Sequence, residues 1–179
     1  GKIYKITHQG EGEPFFNPTE KYIWDLLFLN NGNILAAVGE RGGIYEINKE
    51  GEGTLIMEAE ENHILCLKQS SAGEIIAGSG GKGMIYRVTP GQKASILYES
   101  SYEEIKCVDL DRAGNVYAAA GGKVVTAKKD TASLLPARVS TEITVTAAPE
   151  TPVQNQTAVS SDKQPGALLR VDPEGLAKK

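Results

Sequence analysis

The chain has 179 residues, a formal net charge of −4, 40% hydrophobic residues and two cysteines. That length suffices for one domain with a proper core, while the acidic balance disfavours nucleic-acid binding, which needs clustered Lys and Arg. No apolar run approaches the ~20 residues of a bilayer span, so no transmembrane segment is expected; the compartment stays open, because a chain that opens inside a strand-like run is silent about any leader.

That opening run, "GKIYKI", belongs to a repeat. Ile3-Tyr4 recurs as Ile44-Tyr45 and Ile85-Tyr86, two successive spacings of 41 residues. Gly32, Gly73 and Gly114 keep this spacing inside the turn-like groups "NNGN", "SAGE" and "RAGN". So do Ile23, Ile64 and Ile105, then Ala36, Ala77 and Ala118, then Gly39, Gly80 and Gly121, and the pair Cys66 and Cys107. One period reads "IWDLLFL", "NILAAVG", "GGIYEIN" and "GTLIMEAE", here called positions a to d. Each is a run of about 4 to 8 residues bounded by Gly, Asn or charged residues, which is the length and punctuation of a strand. Glycine between a and b predicts a tight antiparallel hairpin with φ > 0 at the turn. Four antiparallel strands in roughly 41 residues predict a β-propeller blade, hence an all-β fold built of such blades in an incomplete ring.

The string "GMIYRVTPGQKASILYESSYEEIKCVDLDRAGNVYAAAGG" resembles the repeats of bacterial β-propeller proteins of the broad NHL and YVTN type. The resemblance covers residues 1–122 and resumes at "GALLRVDPEG", Gly166 to Gly175, which matches "GMIYRVTPGQ" position by position. It implies an architecture rather than an activity. The WD40 signature is not met, because Trp24-Asp25 starts a strand instead of closing one after Gly-His. Trp24 is also the single tryptophan, so the aromatic pattern of kelch repeats is missing.

On this register the whole chain is part of one propeller domain. Residues 1–22 end a first blade, 23–63 and 64–104 form the second and third, and 105–179 the fourth, interrupted at 124–165. The interruption has no aromatic residue and is rich in Thr, Ala, Ser, Pro and Gln; such a segment buries too little apolar surface to offset its ordering entropy and predicts disorder. The alternating "TEITVT" at 141–146 is the exception and suits an edge strand. Roughly three blades' worth of strands falls short of the ~4 to 8 blades of a closed ring. The expected partners are therefore the remaining blades of a longer chain, together with a protein or a small polar ligand.

One string looks catalytic: "GSGGKGMIYRV", with Gly78, Gly80 and Gly83 spaced as G-x-G-x-x-G. A phosphate loop of this type needs a strand before it and a helix after it. Here a strand-like run follows, and the neighbouring repeats read "VGERGGIYEI" and "AAGGKVV", so the glycines mark the b-to-c hairpin. In propellers the b-to-c and d-to-a loops face one end of the central channel, the end that most often binds ligands, and the resemblance carries this over. It places Tyr22, His63 and Glu104 just before strand a, preceded by Lys21, Asn62 and Glu103, with Arg41, Lys82 and Lys123 at the b-to-c tips. Basic tips around acidic and imidazole groups suit an anionic or polar small molecule; the same residues also read as solvated loop positions.

Propeller lactonases resembling gluconolactonase hold calcium through Glu, Asn and Asp oxygens. Glu104, Asn62 and Asp25 are the nearest such types, but they form no motif, and Asp25 shares its repeat position with Cys66 and Cys107, which read as small packing residues of the inner strand. Equivalent positions on adjacent inner strands lie too far apart for a disulfide, and neither cysteine has a His with Asp or Asn beside it in sequence to make a nucleophile. Free, buried thiols are expected. No catalytic residue, metal or cofactor is assigned. The expected function is a non-catalytic interaction or ligand-sensing propeller, with a lactonase-like hydrolase and an extracytoplasmic scaffold or binding domain as alternatives.

Overall fold

A computed structural model describes residues 1–89, 91–125 and 166–175. Every regular element among these residues is a strand. β1 (Ile3–Ile6) pairs with β2 (Gly12–Phe16). β3 (Tyr22–Phe28), β4 (Ile34–Gly39), β5 (Gly43–Ile47) and β6 (Gly53–Glu58) follow as an antiparallel meander. β7 (His63–Gln69), β8 (Ile75–Gly80), β9 (Met84–Val88) and β10 (Ser95–Glu99) repeat it. β11 (Tyr102–Leu110), β12 (Val116–Val124) and β13 (Ala167–Val171) form the third group. Positions a to d of the repeat are thus β3 to β6 and β7 to β10.

The hairpin glycines do what their spacing predicts. Gly32, Gly73 and Gly114 have φ of 87°, 86° and 83°, a region in which a Cβ is strained. Their N–H groups donate to the carbonyls of Leu29, Ser70 and Asp111, three residues back. The string Gly78–Val88 is likewise a strand, a turn and a strand, with no helix to receive a phosphate.

β13 lies on β12 in the register that β5 keeps on β4 and β9 on β8. Val116 faces Val171 as Ile34 faces Ile47 and Ile75 faces Val88. β12 outruns its counterparts, however. Val124, placed by the sequence at the start of the interruption, is the last residue of this strand and pairs with Tyr102. No c-strand follows Gly122 at once, so the chain runs on along β11. The segment "TEITVT" lies outside the described residues.

The groups pack face to face through three apolar layers. Ile3, Ala36, Val38 and Ile47 form the first, with Phe15 and Phe16 against them. Leu35, Ile44, Ile64, Leu67 and Tyr86 are among the second, and Ile85, Ile105, Val116, Leu169 and Val171 among the third. Ile44, Ile64, Ile85 and Ile105 are fully buried, each contributing about 1.5–3 kcal/mol by leaving water. Strand b is covered on both faces, which is why it is written in Ala and Gly. A Cβ on Gly78 would stand 2.5 Å from Cγ2 of Ile105 and 2.7 Å from Sγ of Cys66. Single ladder contacts, Gly39 with His63 and Gly80 with Glu104, join strand b of one group to strand a of the next. They bring the d-to-a and b-to-c connections to a common end.

Candidate functional site

Strand a begins earlier than the sequence pattern suggests. Tyr22 and His63 are the first residues of β3 and β7, and Glu104 is the third of β11, because each pairs across its hairpin, with Gly39, Gly80 and Gly121. Two residues further on, every a-strand carries a β-bulge. The register skips between Ile23 and Asp25, between Ile64 and Cys66, and between Ile105 and Cys107. Trp24, Leu65 and Lys106 are the extra residues. A bulge re-aims its extra side chain, and here all three line one cleft.

Tyr22, Trp24 and His63 form a cluster at this end. The Tyr22 and Trp24 rings stack at 5.4 Å with 20° between planes, and both meet His63 edge to face, at 5.8 Å and 5.4 Å. The indole N–H of Trp24 donates to Nδ1 of His63 at 3.2 Å. Gly39 makes this possible, since a Cβ there would lie 2.3 Å from that Nδ1 and 2.5 Å from the indole nitrogen. Lys21 places Nζ 5.3 Å from the Tyr22 ring centre, so the stack already holds a cation at one end. Trp24 nevertheless remains 47% exposed, a large apolar surface left in contact with water.

The cleft, about 560 Å³, is lined by Trp24, His63 and Leu65 on one side and Glu103, Glu104 and Lys106 on the other, with Asn62 and the bare backbone of Gly80 and Gly81 between them. Lys106 Nζ lies 2.5 Å from Oε2 of Glu104. Glu103 accepts from the backbone N–H of Lys123 at 3.3 Å. The lining therefore holds two carboxylates, of Glu103 and Glu104, and one ammonium group, which pairs with Glu104.

Of the six candidate residues, the structure gathers His63 and Glu104 into this cleft, with Tyr22 stacked behind Trp24. The basic tips do not line it. Arg41 is exposed at the turn after β4. Lys82 turns toward the acidic d-to-a crossing, 3.5 Å from Glu60 and 3.9 Å from the buried Glu61. Glu61 also accepts a hydrogen bond from the Tyr86 hydroxyl; burial first, and then that carboxylate, raise the Tyr86 phenol above its ordinary range. Lys123 lies inside β12 rather than at a tip. Sequence reasoning passed over Trp24, Leu65 and Lys106. Their signal was present in part: Ile64 and Leu67, and likewise Ile105 and Val108, are buried aliphatic residues three apart, where an unbroken strand would space same-face residues by two.

The inner-strand position shared by Asp25, Cys66 and Cys107 takes three different environments. Asp25 accepts from the N–H of Leu26 and from that of Leu67 in the next group, both at 2.8 Å. It is a clamp between strands, and with Glu104 held by Lys106 the Glu104, Asn62 and Asp25 oxygens do not suit a calcium ion. Among the described residues no three of His, Cys, Asp or Glu gather as metal ligands. Cys66 is buried, and burial pushes its thiol up to about 12. Cys107 is exposed, contrary to the expectation of two buried thiols: Ile105 of the following group lies against Cys66, whereas no further a-strand follows β11 among the described residues.

No family model matches the chain, and no curated protein is similar to it in sequence. Among solved structures it is similar to selenomethionine-substituted virginiamycin B lyase from Staphylococcus aureus, with 14% identity, 99% of this chain and 61% of that chain covered, and a TM-score of 0.57. It is also similar to a protein of unknown function from Bacteroides caccae, with 16% identity, 97% and 74% covered, and a TM-score of 0.50. The chain thus spans about three fifths of the length of the lyase. Virginiamycin B lyase is a β-propeller enzyme, and the likeness, together with the antiparallel meanders, shows the fold: these are β-propeller blades. At such identities the likeness carries no activity.

Proposed function

We propose that the chain is a non-catalytic ligand-binding β-propeller module of the NHL and YVTN type, and that it binds a small polar molecule in the cleft between β3, β7 and β11. The observation that carries this reading is the Tyr22–Trp24–His63 cluster, hydrogen-bonded and half open to water, facing Glu103, Glu104 and Lys106 across about 560 Å³. Ligand sites pair apolar, aromatic walls with a few convergent polar groups in volumes of about 300–1,000 Å³, and this cleft has both. The polar groups present are arranged for hydrogen bonding: Glu104 is tied to Lys106, and His63 is tied to Trp24.

Trp24 is the single tryptophan of the chain, so its emission reports on this cleft alone. A panel of cationic, neutral and anionic polar compounds is titrated against the 179-residue chain. One class is expected to change Trp24 emission saturably and to raise Tm in parallel, by the equivalent of ~2.7 kcal/mol at a hundredfold excess over Kd. Mass spectrometry should return the compound unaltered. A panel in which no member moves either signal sinks the reading, and turnover of the bound compound would replace it with an enzymatic one.

A further inference from the structure

The chemistry of the cleft points to one class of ligand. The Tyr22–Trp24 stack presents two ends, and Lys21 already sits on the Tyr22 end, 5.3 Å from the ring centre. This is the electrostatic attraction of a cation for an aromatic face. The other end belongs to Trp24, the side chain with the strongest such attraction, and it borders the cleft. Among the described residues the cation–π contacts are Lys21 on Tyr22 and Arg170 on Tyr117, so no protein cation covers the indole. Lys106, the cation inside the cleft, is drawn instead to Glu104 at 2.5 Å. Glu103 has no ion-pair partner among the described residues; its carboxylate accepts from a backbone N–H.

The wall opposite the indole therefore carries a surplus of one negative charge, two carboxylates against one ammonium. An anion entering here meets that surplus and no helix terminus or arginine to offset it. A neutral polyol gains hydrogen bonds but nothing from the charge. A flat or alkylated cation gains on both walls, by stacking on Trp24 and by pairing with Glu103. Resting on the ligand-binding reading above, we infer that the cleft takes an organic cation, a guanidinium or a quaternary ammonium group, held between the indole of Trp24 and the Glu103–Glu104 carboxylates. The sequence pattern, with its basic tips, suited an anionic or polar small molecule; the bulge that aims Trp24 into the cleft and the placement of Lys82 on Glu60 favour a cation instead.

The test is a set of Trp24 emission titrations on the 179-residue chain with N-acetyl-arginine amide, tetramethylammonium, methyl glucoside and N-acetyl-glutamate amide. The two cations are expected to saturate the signal, more weakly as salt is raised. Glu103→Gln is expected to weaken them about tenfold, the size of one partly desolvated charge contact. Lys106→Met removes the competing ammonium and is expected to tighten cation binding severalfold, a gain that a misfolded variant does not produce. A short arginine peptide binding much more tightly than the amide identifies a polypeptide as the source of the guanidinium, and equal affinities identify a free small molecule; either agrees with the proposal. Saturation by methyl glucoside or by the glutamate amide, with the cations silent, overturns the inference and leaves the ligand-binding reading standing. Silence of all four overturns the inference here, and the wider panel decides the reading beneath it.

Discussion

Gly39 illustrates how tightly single residues hold this cleft. Its missing side chain is the space into which the Trp24 indole and the His63 imidazole close their hydrogen bond. Gly39→Ala would set a methyl group 2.3 Å from Nδ1 of His63 and 2.5 Å from the indole nitrogen, so the rings must part. The expected outcome is a loss of about 1–3 kcal/mol, the usual penalty of overpacking, together with a shifted Trp24 emission maximum. Gly80→Ala is the control, since its Cβ would come closest to the end of the flexible Leu65 side chain, at 3.2 Å, and would make only an ordinary contact with His63 Cβ, at 3.7 Å. Urea unfolding followed by fluorescence checks both variants, and an unmoved emission maximum in Gly39→Ala would show that the rings do not share that space. From the sequence, Gly39 was legible as a repeat mark but not as a packing requirement. The repeat states which residues are equivalent, whereas the neighbour in space decides what each equivalent residue does. Cys66 and Cys107 show the same: one position, one residue type, one thiol buried and one exposed.

At the scale of the element, the β11–β12 hairpin shows how a turn is held by its own side chains. Oδ1 of Asp111 accepts from the N–H groups of Ala113 and Asn115, both at 2.9 Å, and Oδ2 accepts from Nδ2 of Asn115 at 2.7 Å. The Asn115 side chain, chiefly, holds the Asp111 carboxyl below the usual carboxylate range; desolvation opposes it, and the backbone N–H groups of Asn115 and Ala113 and the charge of Arg170 add to the lowering. A pKa depressed in the folded state means that the unfolded chain binds the proton more readily. The stability that Asp111 adds is therefore complete above the ordinary aspartate pKa of about 3.9 and is lost as pH falls through the folded value. Asp111→Asn cannot titrate, so its stability is expected to fall less steeply in acid than that of the native chain; parallel acid limbs in urea midpoints measured from neutral pH down to about pH 2.5 would contradict this. The hairpin itself was readable from "RAGN", because a left-handed glycine is a local requirement. The bulge in every a-strand was harder to read, since it shows only as a three-residue interval between buried positions that local propensity does not distinguish from loose alternation.

At the scale of the molecule, the placement of β13 makes the boldest use of the repeat. Gly121-Gly122-Lys123 and Gly166-Ala167 stand where Gly80-Gly81-Lys82 and Gly83-Met84 stand one repeat earlier. Deleting residues 124–165 would therefore rebuild a short b-to-c turn from residues already suited to it. The excised chain is expected to keep β13 on β12, with Val116 still opposite Val171, and to unfold at a Tm no lower than that of the full chain apart from the small loss of the Val124–Tyr102 pairing. Hydrogen exchange at Leu169 and Val171 checks the register, and rapid exchange there would refute it. The amino-acid sequence alone determined the all-β architecture, the strand count of each blade and the turn glycines, because a 41-residue period and φ > 0 at a hairpin are properties of the chain read locally. Only the tertiary structure decided which of the equivalent residues face the cleft, that the basic tips lie off it, and that its surplus charge is negative. Those depend on bulges and on the stacking of one blade against the next, which join residues about one repeat apart through space.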